Sequence, residues 1–562
     1  MIDWKGALRK LASELGLARG KNSKSVAQHP NKPNVTPTPA SHSTANRHEG
    51  TRLHPAARTA HTRPREDAGR PGMGSGAPSN RATGTKTVTK EDKGPSEDEK
   101  KKPRQLRSAS QGPFPTPEMR KYPVGYEDCD GLKGQQWQSL GASSTIGRAQ
   151  PGRRSLCTVG LDLGTAFTKA CVQVRNSAYV VHWDRCVRSS PPFLLPSMFS
   201  ELPDGTCVLG SHTGARQYSD IKMALLGNPT RSDQTAAVIF IALVTRYVRA
   251  WLFTEHRSVV DGFALDWSMN LGLPASSWDS ADTASLYKLL SVAGWRLGAT
   301  EGPISFAMAT AALASVGSRI SGQINAELIE TFPEFGAQVH SYRSSSQRQR
   351  DLHLLVDVGA GTVDVVTFHI GEEDESEINC ILEPIVKKLG THILLAYRAQ
   401  AGYLDGRTWT DATARLDRGS FESSFGLRAG SLNAVQEHFS DLLHLSIRKV
   451  LHMTKSSRYE TSPRWVEGVP FFLSGGGRNV DAFREAIWKT VSERNMVELS
   501  LPVPENVVLG KVAARDFHRL SVAHGLSSSA DNLAKTLRRS EVPDLRRVRT
   551  SKTDYSERYI DK

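Results

Sequence analysis

The sequence predicts an α/β fold made of two similar lobes and preceded by a long polar arm. Two strand–turn–strand segments share one design, GLDLGTAFTK at 160–169 and VDVGAGTVDV at 356–365. Each segment has an apolar residue, an aspartate, an apolar residue and a glycine in that order. Their recurrence about 195 residues apart indicates an internal duplication within a mixed α/β unit. The third observation is that the excess positive charge lies at the N-terminal end.

The first quarter of the chain differs from the rest in composition. Residues 1–155 contain 28 Lys and Arg residues and 14 Asp and Glu residues, and so carry the whole formal net charge of +14. From residue 20 this part is rich in Ser, Thr, Pro and Gly and poor in large apolar residues. Such a segment cannot bury enough surface to offset the entropy of ordering it. We therefore predict a disordered basic linker over residues 20–153.

The two ends of the chain have patterns of their own. Residues 1–19 predict a short amphipathic helix that docks on a protein partner or an anionic surface, or folds back on the main domain. No aromatic residue occurs between 20 and 110, so a base-stacking role and a nucleic-acid partner are disfavoured. Residues 538–562 predict a basic C-terminal tail. The apolar stripe of the first helix consists of Trp4, Leu8, Leu11 and Leu15.

Several function classes are excluded by missing patterns. The six cysteines form no CxxC pair and no Cys/His metal spacing, which is typical of a reducing compartment and argues against a zinc module. The apolar run at 235–244 is half of the roughly 20 residues that a spanning helix needs, so no transmembrane segment is predicted. Neither a P-loop nor a GxSxG elbow occurs. We expect a cytoplasmic protein, with a nuclear location possible because of the basic arm.

The two hairpins suit the chemistry of a magnesium nucleotide. A strand that ends in an aspartate points a carboxylate into a cleft, and the glycines that follow allow backbone amides to approach phosphate oxygens. A carboxylate can orient the waters around a magnesium ion that bridges those phosphates. Asp162 and Asp357 are therefore candidates for the magnesium shell, acting through water. A third glycine loop, FFLSGGGRN at 471–479, can lie flat against a purine or ribose.

These three segments resemble the phosphate-1, phosphate-2 and adenosine motifs of the actin/Hsp70/sugar-kinase ATPases. Among these families the resemblance is strongest to Hsp70, through PPFLLPSMFSELPDGTCVLGSHTGAR (191–216), SDIKMALLG (219–227) and SVAHGLSSSA (521–530). It extends from about residue 156 to 530, the length of a whole Hsp70 nucleotide-binding domain. Only about 25 residues follow the predicted end of the domain at residue 537, too few for a β-sandwich substrate domain, so a chaperone's peptide-binding half is expected to be missing.

The resemblance implies a two-lobed actin-like ATPase fold with duplicated ribonuclease H-like lobes. Lobe I is expected at 154–345, with helical patterns at 232–255 and 281–297. Lobe II is expected at 346–537, with a helical stretch at 432–455 and a C-terminal return helix over 517–537. The implied cofactors are ATP and Mg²⁺, bound in the cleft between the lobes. The residues that match the nucleotide-binding motifs are Gly164, Thr165, Ala166, Gly359, Ala360, Gly361, Asp364, Gly475, Gly476, Gly477 and Arg478.

The resemblance also implies a catalytic set, which comprises Asp162, Lys222, Glu334, Asp357 and Thr362. Lys222 matches the lysine that positions the attacking water, and Glu334 fits the spacing of the water-orienting glutamate better than Glu301 does. The basic residue that flanks the adenine is left open among Arg448, Lys449 and Lys455. Arg519 departs from the family, because an acidic residue usually precedes the closing helix.

The resemblance points to a slow ATPase that acts as a nucleotide-dependent switch or chaperone-like regulator. Its output would pass to an unknown protein partner, for which residues 1–19 and the basic arm are the attachment points. A nucleotide-binding pseudo-ATPase scaffold is an alternative, because Ala360, Arg519 and a shortened adenosine loop depart from the motifs. A filament-forming actin-like ATPase is a second alternative. A small-molecule kinase fits less well, because the segments between the motifs resemble Hsp70.

Overall fold

The computed structural model describes residues 114–125, 129–132, 135–143, 145–188, 191–317, 328–373, 376–542 and 545. All of them belong to one compact unit, Pro103–Lys562. The predicted helix over 1–19, the arm as far as residue 113 and most of the predicted tail over 538–562 lie outside the described residues.

The described part of residues 114–153 differs from the predicted linker, because it packs on the folded domain. Tyr122 is buried in the core of lobe II, and Trp137 packs against the core of lobe I. Aromatic residues occur again from Phe114 onward, and their burial offsets the entropy cost of ordering this segment. The prediction used the average composition of residues 20–153, which does not show this local change. Its elements are a 3₁₀ helix (Met119–Lys121), β1 (Val124–Gly125), α1 (Gln135–Gln138) and a second 3₁₀ helix (Ser139–Ala142).

Lobe I starts with a hairpin and continues with helices that cover its sheet. Its long helix, Arg231–Glu255, begins at a capping box between Thr230 and Asp233, near the predicted start at 232. The elements of lobe I are β2 (Arg154–Asp162), β3 (Phe167–Val174), β4 (Ser177–Val180), β5 (Leu195–Pro196), β6 (Phe199–Glu201), β7 (Cys207–Leu209), β8 (Arg216–Tyr218), α2 (Ile221–Leu225), α3 (Arg231–Glu255), α4 (Arg257–Val260), β9 (Ala264–Leu273), α5 (Ala275–Asp279), α6 (Ala281–Gly298), α7 (Phe306–Gly317) and β10 (Leu328–Pro333).

Lobe II repeats this plan. The elements after β10 are α8 (Glu334–Gln338), α9 (His340–Arg343), β11 (Asp351–Val358), β12 (Val363–Glu373), β13 (Ser376–Lys387), α10 (Thr391–Ala401), β14 (Trp409–Thr410), α11 (Asp411–Ala414), α12 (Arg418–Ser424), α13 (Asn433–Ser457), α14 (Arg464–Glu467), β15 (Val469–Ser474), α15 (Asp481–Glu493), β16 (Met496–Leu499), β17 (Val507–Val508), a 3₁₀ helix (Ala514–Arg519), α16 (Ser521–Leu526) and β18 (Lys535–Leu537). Of these, β17 joins the sheet of lobe I. The return helix predicted over 517–537 is shorter, because the SSSADN run after α16 favours turns.

The sheet order demonstrates the duplication. In lobe I the order is β10-β9-β2-β3-β4-β17, and in lobe II it is β16-β15-β11-β12-β13-β18. In both sheets the first three strands form an antiparallel meander. One later strand pairs in parallel with the first strand, and another pairs in parallel with that added strand. A strand from the C-terminal part then adds in parallel to the third strand of each sheet. The predicted two-lobed actin-like fold is therefore confirmed.

The two lobes meet through short helices that pack without side-chain space between them. A Cβ atom on Gly160 of β2 would lie 2.2 Å from the carbonyl oxygen of Ala523 in α16. A Cβ atom on Gly525 would lie 2.0 Å from the carbonyl oxygen of Ala337 in α8. Only glycine permits such approaches. Helix α8, which carries Glu334, is thus fixed against lobe I.

Helix α3 is the one described helix that is long and apolar enough to cross a membrane by length and composition. The apolar run at 235–244 therefore lies in a longer helix than the run alone indicated. The domain buries 94% of the most apolar window of this helix. Its apolar side chains form the centre of the lobe I core, and this burial explains their composition.

Candidate active site

The duplicated hairpins end at one cleft, where each presents an aspartate and a partner seven residues later. Asp162 at the end of β2 faces Lys169 on β3, and the lysine Nζ donates to Asp162 Oδ2 at 2.6 Å. At the matching position of lobe II, Asp357 on β11 faces Asp364 on β12. The same backbone plan therefore presents an ion pair on one side of the cleft and two carboxylates on the other.

The turn of the first hairpin directs a backbone amide toward the cleft. The Ser197 hydroxyl donates to the carbonyl oxygen of Gly164 at 2.7 Å, and the Ser197 amide donates to that of Ala166 at 2.9 Å. In a trans peptide the carbonyl and the next amide point in opposite directions. The amide of Thr165 therefore points away from Ser197, and Thr165 lines the cleft.

The turn of the second hairpin is oriented in the same way by the start of α10. The Thr391 amide donates to the carbonyl oxygen of Gly359 at 3.1 Å, and the His392 amide donates to that of Ala360 at 2.9 Å. The Gly390 amide donates to the carbonyl oxygen of Gly361 at 3.2 Å. The amides of residues 360–362 then point the opposite way. Ala360 stands where glycine is usual in the motif. Its φ is negative, because it is not one of the described non-glycine residues that have a positive φ. Its methyl group is therefore accommodated without backbone strain.

The third loop, Gly475–Gly477, is pressed against the end of β11. Gly475 has a φ of 84°, and a Cβ atom there would lie 2.2 Å from Asp357 Oδ1. A Cβ atom on Gly477 would lie 2.5 Å from Val358 Cγ1. On Gly476 the nearest atom would be Arg519 Nη2, at 3.5 Å. The two outer glycines are thus required by close packing, and the middle one faces open space beside Arg519.

Lys222 and Glu334 form a buried ion pair across the cleft floor. Lys222 Nζ donates to Glu334 Oε1 at 2.7 Å, and the residues are only 6% and 8% exposed. Burial raises the pKa of Glu334, although Lys222 opposes that effect. Burial alone would lower the pKa of Lys222. The nearby carboxylates of Glu334, Asp364 and Asp162 outweigh this effect and raise the pKa above its usual value. Lys222 therefore stays protonated, and its ammonium group remains a hydrogen-bond donor to Glu334.

The floor of the cleft carries more negative than positive side chains. Asp357 accepts one hydrogen bond at 2.9 Å from Gln338, and burial raises its pKa. Asp364 Oδ1 is buried and has no hydrogen-bond partner among the described residues. Burial, Glu334 and Asp357 raise the pKa of Asp364 well above its usual value. The floor groups are the carboxylates of Asp162, Glu334, Asp357 and Asp364 and the ammonium groups of Lys169 and Lys222.

The far end of the cleft carries charged residues that the sequence analysis did not assign. Asp411 Oδ2 lies 2.8 Å from Arg415 Nη2, and Asp411 Oδ1 lies 3.2 Å from His392 Nε2. Burial opposes ionisation of Asp411, but His392 and Arg415 hold its pKa below the usual value. Burial lowers the pKa of Arg519 to about 10, so it remains charged at neutral pH. Arg519 had been noted only as a departure from the family.

None of the three basic residues left open for the adenine lies at the cleft. Arg448 pairs with Glu493 at 3.3 Å, and Lys455 lies 5.5 Å from the ring centroid of Trp465. Helix α13 carries all three residues, and its buried face packs on the sheet of lobe II rather than on the cleft. The arginines that line this end of the cleft are Arg415 and Arg519.

The cleft gathers most of the predicted site residues. Gly361 lies at its edge, where a Cβ atom would be 3.0 Å from Thr165 Cγ2. Arg478 does not line the cleft, and Glu301 lines a different cavity. The predicted residues that line it are Asp162, Gly164, Thr165, Ala166, Lys222, Glu334, Asp357, Gly359, Ala360, Thr362, Asp364, Gly475, Gly476 and Gly477.

Sequence reasoning missed Lys169, Gln338, Asp411 and Arg415 in this site. Lys169 could have been found from the sequence, because the short turn after Asp162 pairs residues seven positions apart. Asp411 and Arg415 follow an irregular segment and carry no motif. In the part of the chain that the structure describes, no group of three or more His, Cys, Asp or Glu residues is arranged to hold a metal directly.

Comparisons with known proteins add little to this geometry. No family model matches the chain, and no curated protein matches it. Among the solved structures that match is one described as "MamK double helical filament", at 13% sequence identity and a TM-score of 0.38. The match covers 66% of this chain and 98% of that one. A likeness this distant carries no argument about function, and the fold assignment rests on the duplicated sheets described above.

Proposed function

We propose that the cleft binds ATP with Mg²⁺ and that the protein is a slow ATPase whose lobes act as a nucleotide-dependent switch. The observation that supports this most directly is the floor of the cleft. Four carboxylates face two lysines there, and Asp364 Oδ1 has no partner in the described structure. A divalent cation would balance the excess charge, and a buried carboxylate without such balance is costly.

The loops fit a triphosphate. The backbone amides that follow Gly164 and Gly359 point away from the groups that hold the carbonyl oxygens of these glycines, and so toward the position of the phosphates. Asp162 and Asp357 would hold the magnesium ion through water, and the ion would supply positive charge that offsets the charge of the phosphates. Gly475–Gly477 would lie against the purine or ribose, with Arg415 and Arg519 beside it.

The catalytic residues would act on water and on charge. Glu334 is held at the cleft floor with a raised pKa, which suits a group that orients water and accepts its proton. Lys222 would offset the charge of the terminal phosphate, and Thr362 would donate to it. Hydrolysis would alter the contacts across the cleft, and lobe motion would be the output.

The output would go to a protein partner. Residues 1–19 and the basic arm are proposed as its attachment points, although they lie outside the described residues. The chaperone-like character implied by the Hsp70 resemblance belongs to this proposal. A filament-forming actin-like ATPase would use the same site, and the pseudo-ATPase scaffold would use it without hydrolysis.

The test is calorimetric titration of Mg-ATP and Mg-ADP into the full chain, beside single-turnover hydrolysis. We expect saturable binding that Asp357→Asn weakens at least tenfold, which is about 1.4 kcal/mol. Glu334→Gln should retain binding and lose on the order of a hundredfold in hydrolysis. Glu301→Gln is the matched control, because Glu301 is exposed and lies outside the cleft.

The same preparation separates the alternatives. Binding without hydrolysis would support the pseudo-ATPase scaffold. Light scattering that rises with protein concentration only in the presence of ATP would support filament formation. No binding at millimolar nucleotide, with a folded protein, would refute the proposed function.

A further inference from the structure

One segment near the start of the domain is docked on both lobes. We call the described residues between 114 and 143 the strap. Its first part lies on lobe II, where Tyr122 is buried in the core and Phe114 packs against it. Strand β1 pairs in parallel with β14, Val124 opposite Trp409, and the Trp409 amide donates to the carbonyl oxygen of Pro123 at 3.3 Å.

The second part of the strap lies on lobe I. The Asp130 amide donates to the carbonyl oxygen of Cys186 at 2.8 Å, and Asp130 bridges to Gly210. A Cβ atom on Gly131 would lie 2.1 Å from the carbonyl oxygen of Leu209. Farther along, Arg249 Nε donates to the carbonyl oxygen of Gly141 at 2.6 Å. This half is therefore held by backbone contacts so close that a side chain would disrupt them.

The chain between the two docking sites is short. Residues 126–128 lie outside the described residues, but they and their neighbours provide only four Cα–Cα steps from Gly125 to Cys129. Four trans peptide steps reach at most about 15 Å. The docking sites on the two lobes cannot move farther apart than this while both halves of the strap stay docked.

Both docking sites adjoin elements of the cleft. On lobe II, β14 leads directly into α11, whose first residue, Asp411, lines the cleft and lies beside His392. The His392 amide in turn donates to the carbonyl oxygen of Ala360 in the second phosphate loop. On lobe I, β7 belongs to the small sheet β7-β6-β8, and β8 is followed by α2, which carries Lys222. Lobe separation at the strap would therefore change the cleft.

We propose that the strap is a conformational clamp that limits opening of the cleft, so that bound nucleotide leaves when the strap detaches from one lobe. This inference rests on the proposed function for its nucleotide part, while the restraint on lobe separation does not. No strap residue lines the cleft, so the effect on the ligand passes through lobe position. By linkage, a nucleotide that favours the closed cleft tightens strap docking by the same factor.

The test uses two detaching variants of the full chain. Gly131→Val introduces a side chain against Leu209 on lobe I, and Tyr122→Ala removes the buried anchor on lobe II. Lys121→Ala is the matched control, because Lys121 is exposed beside the same anchor. Each half is detached independently, so the failure of one variant to fold leaves the other to decide.

Two readouts are needed. Without nucleotide, spin labels at Asp204→Cys and Arg407→Cys report the distance between the lobes, and both positions are exposed whereas the described native cysteines are buried. We expect a broader distance distribution with a longer mean in both detaching variants, and the wild-type distribution in the control. With nucleotide, we expect a fluorescent ADP analogue to dissociate at least tenfold faster from the detaching variants.

The readouts separate the two proposals. If the wild-type chain binds no nucleotide, the proposed function fails, and the label distances alone support or overturn the clamp. Folded detaching variants with wild-type distances would overturn the clamp. If these variants also release the ADP analogue at the wild-type rate, the clamp is overturned in the nucleotide-bound state too.

Discussion

Replacement of Gly475 by alanine tests how the third loop holds Asp357 in place. A Cβ atom there would lie 2.2 Å from Asp357 Oδ1 and 2.3 Å from the carbonyl oxygen of Val358, at a φ of 84°. The left-handed conformation costs a non-glycine residue roughly 1–2 kcal/mol. Overpacking against fixed backbone atoms costs about 1–3 kcal/mol more. We therefore expect Gly475→Ala to lower the free energy of unfolding by about 2–5 kcal/mol, or to displace the loop.

Gly476→Ala is the matched control in the same loop. Its Cβ atom would meet nothing closer than 3.5 Å, and its φ is not in the left-handed region. We expect it to change the free energy of unfolding by less than about 0.5 kcal/mol, as is usual for substitutions without a specific conflict. Urea unfolding gives the stability difference, and Mg-ATP titration gives the affinity. Equal stability and affinity for the two variants would refute the proposed packing of the loop.

Three further predictions concern charged groups. Lys222→Met should cost about 3–5 kcal/mol of unfolding free energy, because it leaves Glu334 buried without its partner, and Lys222→Met/Glu334→Gln should recover most of it in a urea double-mutant cycle. The raised pKa of Asp364 means that the folded state keeps a proton the unfolded chain has lost, so stability falls as pH rises through the folded-state pKa. Without nucleotide or metal, Asp364→Asn should therefore exceed the wild type in stability at pH 8, by a margin that shrinks toward pH 5 and is measured by urea unfolding at each pH. Arg478→Ala should change Mg-ATP affinity less than twofold by calorimetry, because Arg478 does not line the cleft.

The parts of the fold that sequence reasoning predicted are those set by local pattern. The hairpins at Asp162 and Asp357 were found because an apolar run, a glycine turn and a second apolar run lie within a few residues of one another. Their likeness predicted the duplication, which the matching sheet orders confirm. Helix α13 was predicted to within two residues at each end, since its apolar period is long and regular.

The parts that were missed depend on distant contacts. Arg415 reaches the cleft because α11 follows a strand that the strap pairs with, and nothing near residue 415 in the sequence reveals this. Arg478 follows the adenosine-like glycines directly, so its motif placed it in the site. The turn that starts α15 carries it away from the cleft, and the sequence alone does not show in which direction that turn goes.

The two hairpins also show how a duplicated scaffold becomes chemically asymmetric. Seven residues after the aspartate, lobe I has Lys169 and lobe II has Asp364. Asp162 is therefore neutralised by a partner on its own hairpin, whereas Asp364 adds charge beside Asp357. The unbalanced charge of the cleft floor then lies on the lobe II side, where burial also raises the pKa of both carboxyl groups. A cation that enters the cleft relieves more repulsion there than beside Asp162. For this reason Asp357→Asn is the substitution that tests cation-dependent binding, and removing the Asp162 carboxylate would first leave Lys169 without its partner.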